Sequence, residues 1–377
     1  MSARVPLVDL RRDTRDDAAL KDAFSRVLAS GRYVLGEEVE AFERACRDAI
    51  GARHAPIHAI GVSSCTDALI MSLMALGIGA GDEVVCPALS FVATAEAIAR
   101  VSATPVFADV TPCCATLDAE DLAKKITPRT RAVVVVHLFG QCAHMDAIER
   151  VARARDLPIV EDAAQALGAT HGARNAGTMG RVACFSFFPT KNVGALGDAG
   201  LVTTGDDDLA KTLRALRMHG ATSKNEHAML GGNFRIDALQ AALLRVKLAR
   251  LDEITRARRA NAARYDALLA DVAHVRIPAR CNETHAFHHY VVESSARDAL
   301  RAHLDEAGVE TGVYYPIPLH EQPCFTKFSR GDLPRAKRAA RSLLALPIFP
   351  GLRDDEIARV ASAIASFQVA STSSRIK

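Results

Sequence analysis

Three sets of residue types in this chain could do chemistry together. Lys191 follows the apolar run Ala183 to Phe188 and Pro189, and it precedes a glycine-rich turn, so a strand ends at a single amine. A lysine amine that is partly desolvated has a lowered pKa and can condense with a carbonyl. Upstream, the β-branched run in LPIVEDAAQALGA ends in two carboxylates, Glu161 and Asp162. Strand alternation sends them to opposite faces, so only one can look into a cleft at the strand end. The third set is GVSSCTDALIMSLMAL, residues 61–76, a strand end and a Ser/Thr turn leading into an apolar periodic helix. Free N–H groups and hydroxyls at a helix start form an anion site suited to phosphate. An aldehyde-capturing amine, a carboxylate for a ring nitrogen and a phosphate cradle point to pyridoxal 5'-phosphate.

Elements must hold these groups in one place, and the sequence supplies an alternation of them. Strand patterns at Ala59–Ser63, Glu83–Cys86, Pro105–Asp109, Arg131–Leu138 and Pro158–Glu161 alternate with helix patterns near 66–76, 92–100, 119–126 and 146–155. The VVVV run reads as a strand buried on both faces. Repeated βα units predict an α/β fold with a mostly parallel sheet, helices on both faces and ligands at the carboxyl ends of strands. An amphipathic helix over 37–50 follows an extended lead-in, and one long helical stretch with only weak interruptions covers 237–269. Beyond it, strands at 288–293 and 309–315 and helices at 296–307 and 354–367 predict a smaller α+β unit. The expected domains are therefore 1–250, which binds the cofactor, and 251–377.

The 377 residues carry 49% hydrophobic and 24% charged residues, a globular composition. A net charge of +3, from 47 basic and 44 acidic residues, gives no field that would draw the chain to nucleic acid. The polar N-terminus reads as neither signal peptide nor anchor, so no membrane is expected. Nine scattered cysteines without a CxxC pair read as reduced thiols of a cytoplasmic protein. Cys113 and Cys114 are adjacent, which is not metal-ligand spacing, and no HExxH or Cys/His cluster is seen, so no metal site is expected.

In ordered stretches over nearly the whole chain, the sequence resembles the DegT/DnrJ/EryC1/StrS family of pyridoxal-phosphate-dependent nucleotide-sugar aminotransferases. The matching stretches include GRYVLGEEVEAFE, SFVATAEAI, VEDAAQALGA, FSFFPTKNVGALGDAG, GGNFRIDALQAALLRVKL and YPIPLHEQP. The resemblance implies the aspartate-aminotransferase-like fold, fold type I. It makes Lys191 the lysine that bonds to the cofactor's aldehyde and moves the proton. Asp162 becomes the partner of the pyridine nitrogen, with Glu161 facing away. Gln165 matches a glutamine near the cofactor's 3-hydroxyl. Ser186, Thr66 and the N–H of Cys65 match phosphate ligands, and Phe91 matches an aromatic that stacks on the ring.

By the same resemblance, Asn233 reaches the phosphate of a neighbouring subunit, which implies a homodimer with shared active sites. Arg235, Tyr315 and His320 are substrate-side candidates. Two positions depart from the family pattern. Cys65 stands where glycine is usual, and Tyr314 replaces the histidine of a His-Tyr-Pro sequence. The implied reaction converts a nucleotide-linked 3-keto or 4-keto sugar to an amino sugar with L-glutamate as donor. The alternatives are a sugar dehydratase of the same family, which typically carries histidine in place of Lys191, and a non-catalytic regulatory protein.

Overall fold

Alternate residues of the central strands look in opposite directions, and both directions are apolar. The computed structural model describes residues 4–12, 16–51, 57–280 and 284–368. Within them, seven strands form one sheet: β1 (His58–Val62), β2 (Glu83–Pro87), β3 (Thr104–Ala108), β4 (Thr130–Val136), β5 (Ile159–Asp162), β8 (Val182–Ser186) and β9 (Gly200–Thr204). The two-residue strands β6 (Thr170–His171) and β7 (Arg174–Asn175) pair beside it. The sheet order is β1-β9-β8-β5-β4-β2-β3, and β9 alone runs against the rest.

Val84, Cys86, Val134 and Val136 pack on one face with α3 (Cys65–Ala75), α4 (Ala93–Arg100) and α7 (Asp207–Arg217). Val85, Val133 and Val135 pack on the other with α5 (Ala119–Lys125) and α6 (Met145–Arg153). That second face continues under α1 (Asp17–Ser30), α2 (Glu37–Ile50) and α8 (Ala238–Leu248). Period-two burial on both faces is the signature of a sheet enclosed by helices.

After a small ribbon, β10 (Ala221–Ser223) and β11 (Glu226–His227), the chain passes through α8 into α9 (Leu251–Leu269). A C-terminal core joins α9 to β12 (Tyr290–Glu293), α10 (Arg297–Glu306), β13 (Leu343–Leu346) and α12 (Asp354–Ser366), whereas α11 (Pro334–Ser342) packs Ala336 and Ala340 into the core of the large sheet. Val5 belongs to that core, and its N–H donates to Gly308 O.

Three expectations need correction. The extended lead-in contains α1, whose short buried stripe of Ala23 and Val27 lies among exposed charges. The helical stretch over 237–269, expected with only weak interruptions, divides fully at Arg250, which leaves helical geometry and pairs with Asp16 at 2.6 Å. No strand forms over 309–315, where only Val309 and Gly312 make isolated bridges. That segment instead carries Tyr314 and Tyr315 to aromatic and polar partners. Beyond these, β9 and α7 have no counterpart in the sequence-based expectations.

Candidate active site

The carboxyl ends of β1, β5 and β8 bring the three sequence sets together. At the end of β5, Glu161 is fully buried and accepts from the N–H groups of Gly177, Met179 and Gly180 at 2.8, 2.7 and 2.5 Å. His137 Nε2 also donates to it at 2.8 Å, since His137 Nδ1 accepts from the Ala143 N–H. Burial opposes its charge, but these donors hold the Glu161 carboxyl below its ordinary value. It is thereby committed to structure. Asp162 points the other way, 5% exposed, accepting from Thr94 Oγ1 at 2.7 Å and from the Ala164 N–H at 3.2 Å. Burial raises its pKa, and Thr94, Ala164, Lys191 and His137 oppose that rise. An opposite charge nearby would stabilise this carboxylate.

Lys191 sits in the turn after β8, where its N–H donates to Phe188 O at 2.8 Å. Its loop is pinned by Asn192 Nδ2 to Ala286 O, by Lys247 Nζ to Gly194 O and by Gln240 to both backbone groups of Leu196. Desolvation lowers the Lys191 pKa, while Cys65 and Asp162 pull it back up. The amine, the carboxylate and the start of α3 all lie at the carboxyl ends of strands of the one sheet, β8, β5 and β1.

Ser64 caps α3 by accepting from the Asp67 N–H at 3.1 Å, and the N–H groups of Cys65 and Thr66 precede the intrahelical ladder. Cys65 is the first helical residue and does not have a positive φ, so this position imposes no glycine-specific geometry. Burial pushes the Cys65 thiol well above its ordinary value. Gly200 packs directly on this turn, where a Cβ would lie 2.4 Å from Ser64 C and 2.7 Å from Cys65 N. Ser186 ends β8 and accepts weakly from the Phe188 N–H at 3.3 Å. An anion-ready helix start, a desolvated amine and a buried carboxylate form a donor set that fits pyridoxal phosphate.

Gln165 bridges two walls: its Oε1 accepts from the Phe139 N–H at 2.6 Å, and its Nε2 donates to Tyr315 Oη at 3.2 Å. Phe91 is 53% exposed, with its ring 5.8 Å from that of Tyr315. Tyr314 stacks on His289 with centroids 4.0 Å apart. Burial drives the pKa of both His288 and His289 well down, and Lys191 adds to the effect.

Arg235 bridges Val62 through its backbone, and Ser63 N donates to Phe234 O, so residues 233–235 run beside the phosphate turn of their own chain. Arg235 Nη1 lies 3.9 Å from Met218 Sδ, and Asn233 is exposed. His320 stands apart, 3% exposed beside Phe107, and neither ring nitrogen has a partner among the described residues.

Sequence reading missed Thr94, His289 and the Tyr314 stack. Ser90 and Thr94 at i and i+4 near a helix start were the available signal, with the hydroxyls 2.8 Å apart. The expectation of no Cys/His cluster also fails, because the fold brings His144 against Cys113 and Cys114. Among the described residues no helix is long and apolar enough to cross a membrane.

Residues 14–365 match the DegT/DnrJ/EryC1/StrS aminotransferase family. A dTDP-3-amino-3,4,6-trideoxy-alpha-D-glucose transaminase of Streptomyces venezuelae is 43% identical, covering 96% of this chain and 95% of its own. A pleiotropic regulatory protein of Geobacillus stearothermophilus is 41% identical, covering 96% and 98%. The crystal structure of DesV from S. venezuelae, in complex with a ketimine intermediate, superposes with a TM-score of 0.93 at 42% identity, covering 98% of this chain and all of that one. NtdA from Bacillus subtilis, with bound cofactor PMP, reaches 0.90 at 30% identity, covering 97% of this chain and 85% of its own.

Proposed function

The chain belongs to the DegT/DnrJ/EryC1/StrS aminotransferase family, and on that premise we propose that it moves an amino group from L-glutamate to a nucleotide-linked keto sugar. The observation that carries this reading is the placement of Asp162 at the end of β5, Lys191 in the turn after β8 and the Ser64-capped start of α3, on which Gly200 packs, at the carboxyl ends of β5, β8 and β1. Bound there, pyridoxal phosphate supplies an aldehyde for the amine and a ring that takes up electrons from the carbon losing its proton. Desolvation lowers the Lys191 pKa, which favours the neutral amine, so once released from the aldehyde its Nζ could take the α-proton from glutamate and, in the second half of the cycle, deliver a proton to the sugar carbon. Asp162 holds a proton on the ring nitrogen by its charge. Cys65 and Thr66 N–H groups, with Ser186 and Thr66 hydroxyls, bind phosphate. Gln165 orients the 3-hydroxyl side, and Phe91 covers the ring.

Arg235 and Tyr315 line the substrate side, with His320 buried behind the loop that carries Tyr315, and Asn233 completes the phosphate pocket of a partner in a homodimer. The cofactor domain falls within 1–250 and the smaller one within 251–377, with the segment around Val5 joining the smaller core, in a cytoplasmic protein. Relatives named for 3-amino sugars support amination at C3. Turnover of TDP- and UDP-linked 3-keto and 4-keto sugars with glutamate tests the reading. Borohydride reduction and peptide mapping should label Lys191, and a label on Lys211 or Lys224 would overturn the assignment.

A regulatory role is the second reading, favoured by the name of the Geobacillus relative. It predicts purified protein without the cofactor's visible absorbance.

A further inference from the structure

Two loops on the sheet's carboxyl side meet at three soft ligands. Cys113 and Cys114, in the turn after β3, have Sγ atoms 3.4 Å apart. His144, at the start of α6, places Nε2 3.8 Å from Cys113 Sγ and 3.7 Å from Cys114 Sγ. A tetrahedral zinc ion, with bonds of about 2.3 Å to sulfur and about 2.0–2.1 Å to nitrogen, needs ligand separations of about 3.8 Å between sulfurs and about 3.6 Å from sulfur to nitrogen. The observed triangle differs from that by about 0.4 Å or less on every edge.

Thr111 Oγ1 at 3.1 Å and Thr116 Oγ1 at 3.3 Å can donate to Cys114 Sγ, which steadies a thiolate. Cys113 and Cys114 also line a cavity with Phe139, Arg276, Arg335 and Arg338, from which water can supply a fourth ligand. We propose that Cys113, Cys114 and His144 bind one zinc ion. Two Zn–S bonds replace two S–H bonds, the protons leave to solvent, and neutral imidazole binds through Nε2. Two thiolates cancel the charge of the ion, which suits a partly buried position. Thiolate softness selects zinc over magnesium or calcium. The ion would staple the turn after β3 to α6, apart from Lys191.

The test uses the full chain, reduced with a phosphine, stripped with chelator, then titrated with zinc(II) against a chromophoric chelator and separately with cobalt(II). The expected result is one zinc per chain and visible cobalt bands of tetrahedral thiolate intensity. Affinity should fall at least about tenfold in Cys113→Ser and in His144→Gln and stay unchanged in Cys324→Ser. Zinc should raise the Tm of the wild type and of Cys324→Ser more than that of Cys113→Ser or His144→Gln. Cobalt spectra of the wild type keep the test independent of whether variants fold. Stoichiometry well below one in the reduced wild type, no tetrahedral cobalt spectrum, or equal affinity in Cys113→Ser and His144→Gln would each overturn the proposal.

Discussion

Thr94 Oγ1 donates to Asp162 Oδ2 at 2.7 Å and is itself 2.8 Å from Ser90 Oγ, so the buried carboxylate is steadied by a hydroxyl from the neighbouring helix. Removing that donor in Thr94→Val should push the Asp162 pKa further up. The acid limb of kcat/KM should then move to higher pH, because the charged carboxylate is the active form. A hydrogen bond to a charged group is worth about 1.5–3 kcal/mol, so kcat should fall roughly tenfold to a hundredfold. Thr94→Ser should restore most of it. An unchanged pH profile in Thr94→Val would show that the bond does no more than pack the helix.

The two adjacent carboxylates should separate by phenotype. Asp162→Asn should lose turnover while remaining folded, because the amide cannot hold a proton on the ring nitrogen. Glu161→Gln should instead lose stability, since an NH2 group would face backbone donors, and breaking such a buried array costs about 3–5 kcal/mol. Tm and kcat measured on both variants check this, and near-normal turnover in Asp162→Asn would move the role to Glu161.

Stability against acid should depend on Glu83. Although burial opposes its charge, hydrogen bonds from Thr127, Arg129 and Arg330 hold its pKa down to about 2 from 4.5. A folded pKa below the unfolded one contributes stability above pH 4.5 that is lost as pH falls toward 2. The full shift corresponds to roughly 3 kcal/mol at most. Urea unfolding between pH 6 and pH 3 should show a steeper loss in the wild type than in Glu83→Gln.

The assembly proposal rests on Asn233, which is exposed and lies beside the phosphate turn of its own chain. If it also reaches a partner's cofactor, mixing Lys191→Ala with Asn233→Ala chains should regenerate one intact site per mixed dimer. Activity of up to about a quarter of wild type would follow from random exchange of equal amounts, where half the dimers are mixed and each holds one good site. Subunit exchange without recovered activity, with Asn233→Ala alone inactive, would defeat the cross-subunit role.

Local pattern alone determined much of this protein. The period-two apolar runs of β2, β4 and β5, the Ser/Thr turn before α3 and the position of Lys191 after an apolar strand are all properties of adjacent residues. They were legible because strand period and helix capping act over a few positions. The opposition of Glu161 and Asp162 followed from pleating, and the structure adds the reason Glu161 is committed to structure: three backbone donors and His137 surround it. What only the tertiary structure decided are contacts between segments distant in sequence. Arg250 breaks a continuous helical pattern to reach Asp16, residues 309–315 give up a strand to place Tyr314 on His289, and His144 meets a cysteine pair 30 residues away. Burial and partner geometry fix these relationships, and no spacing along the chain encodes either one.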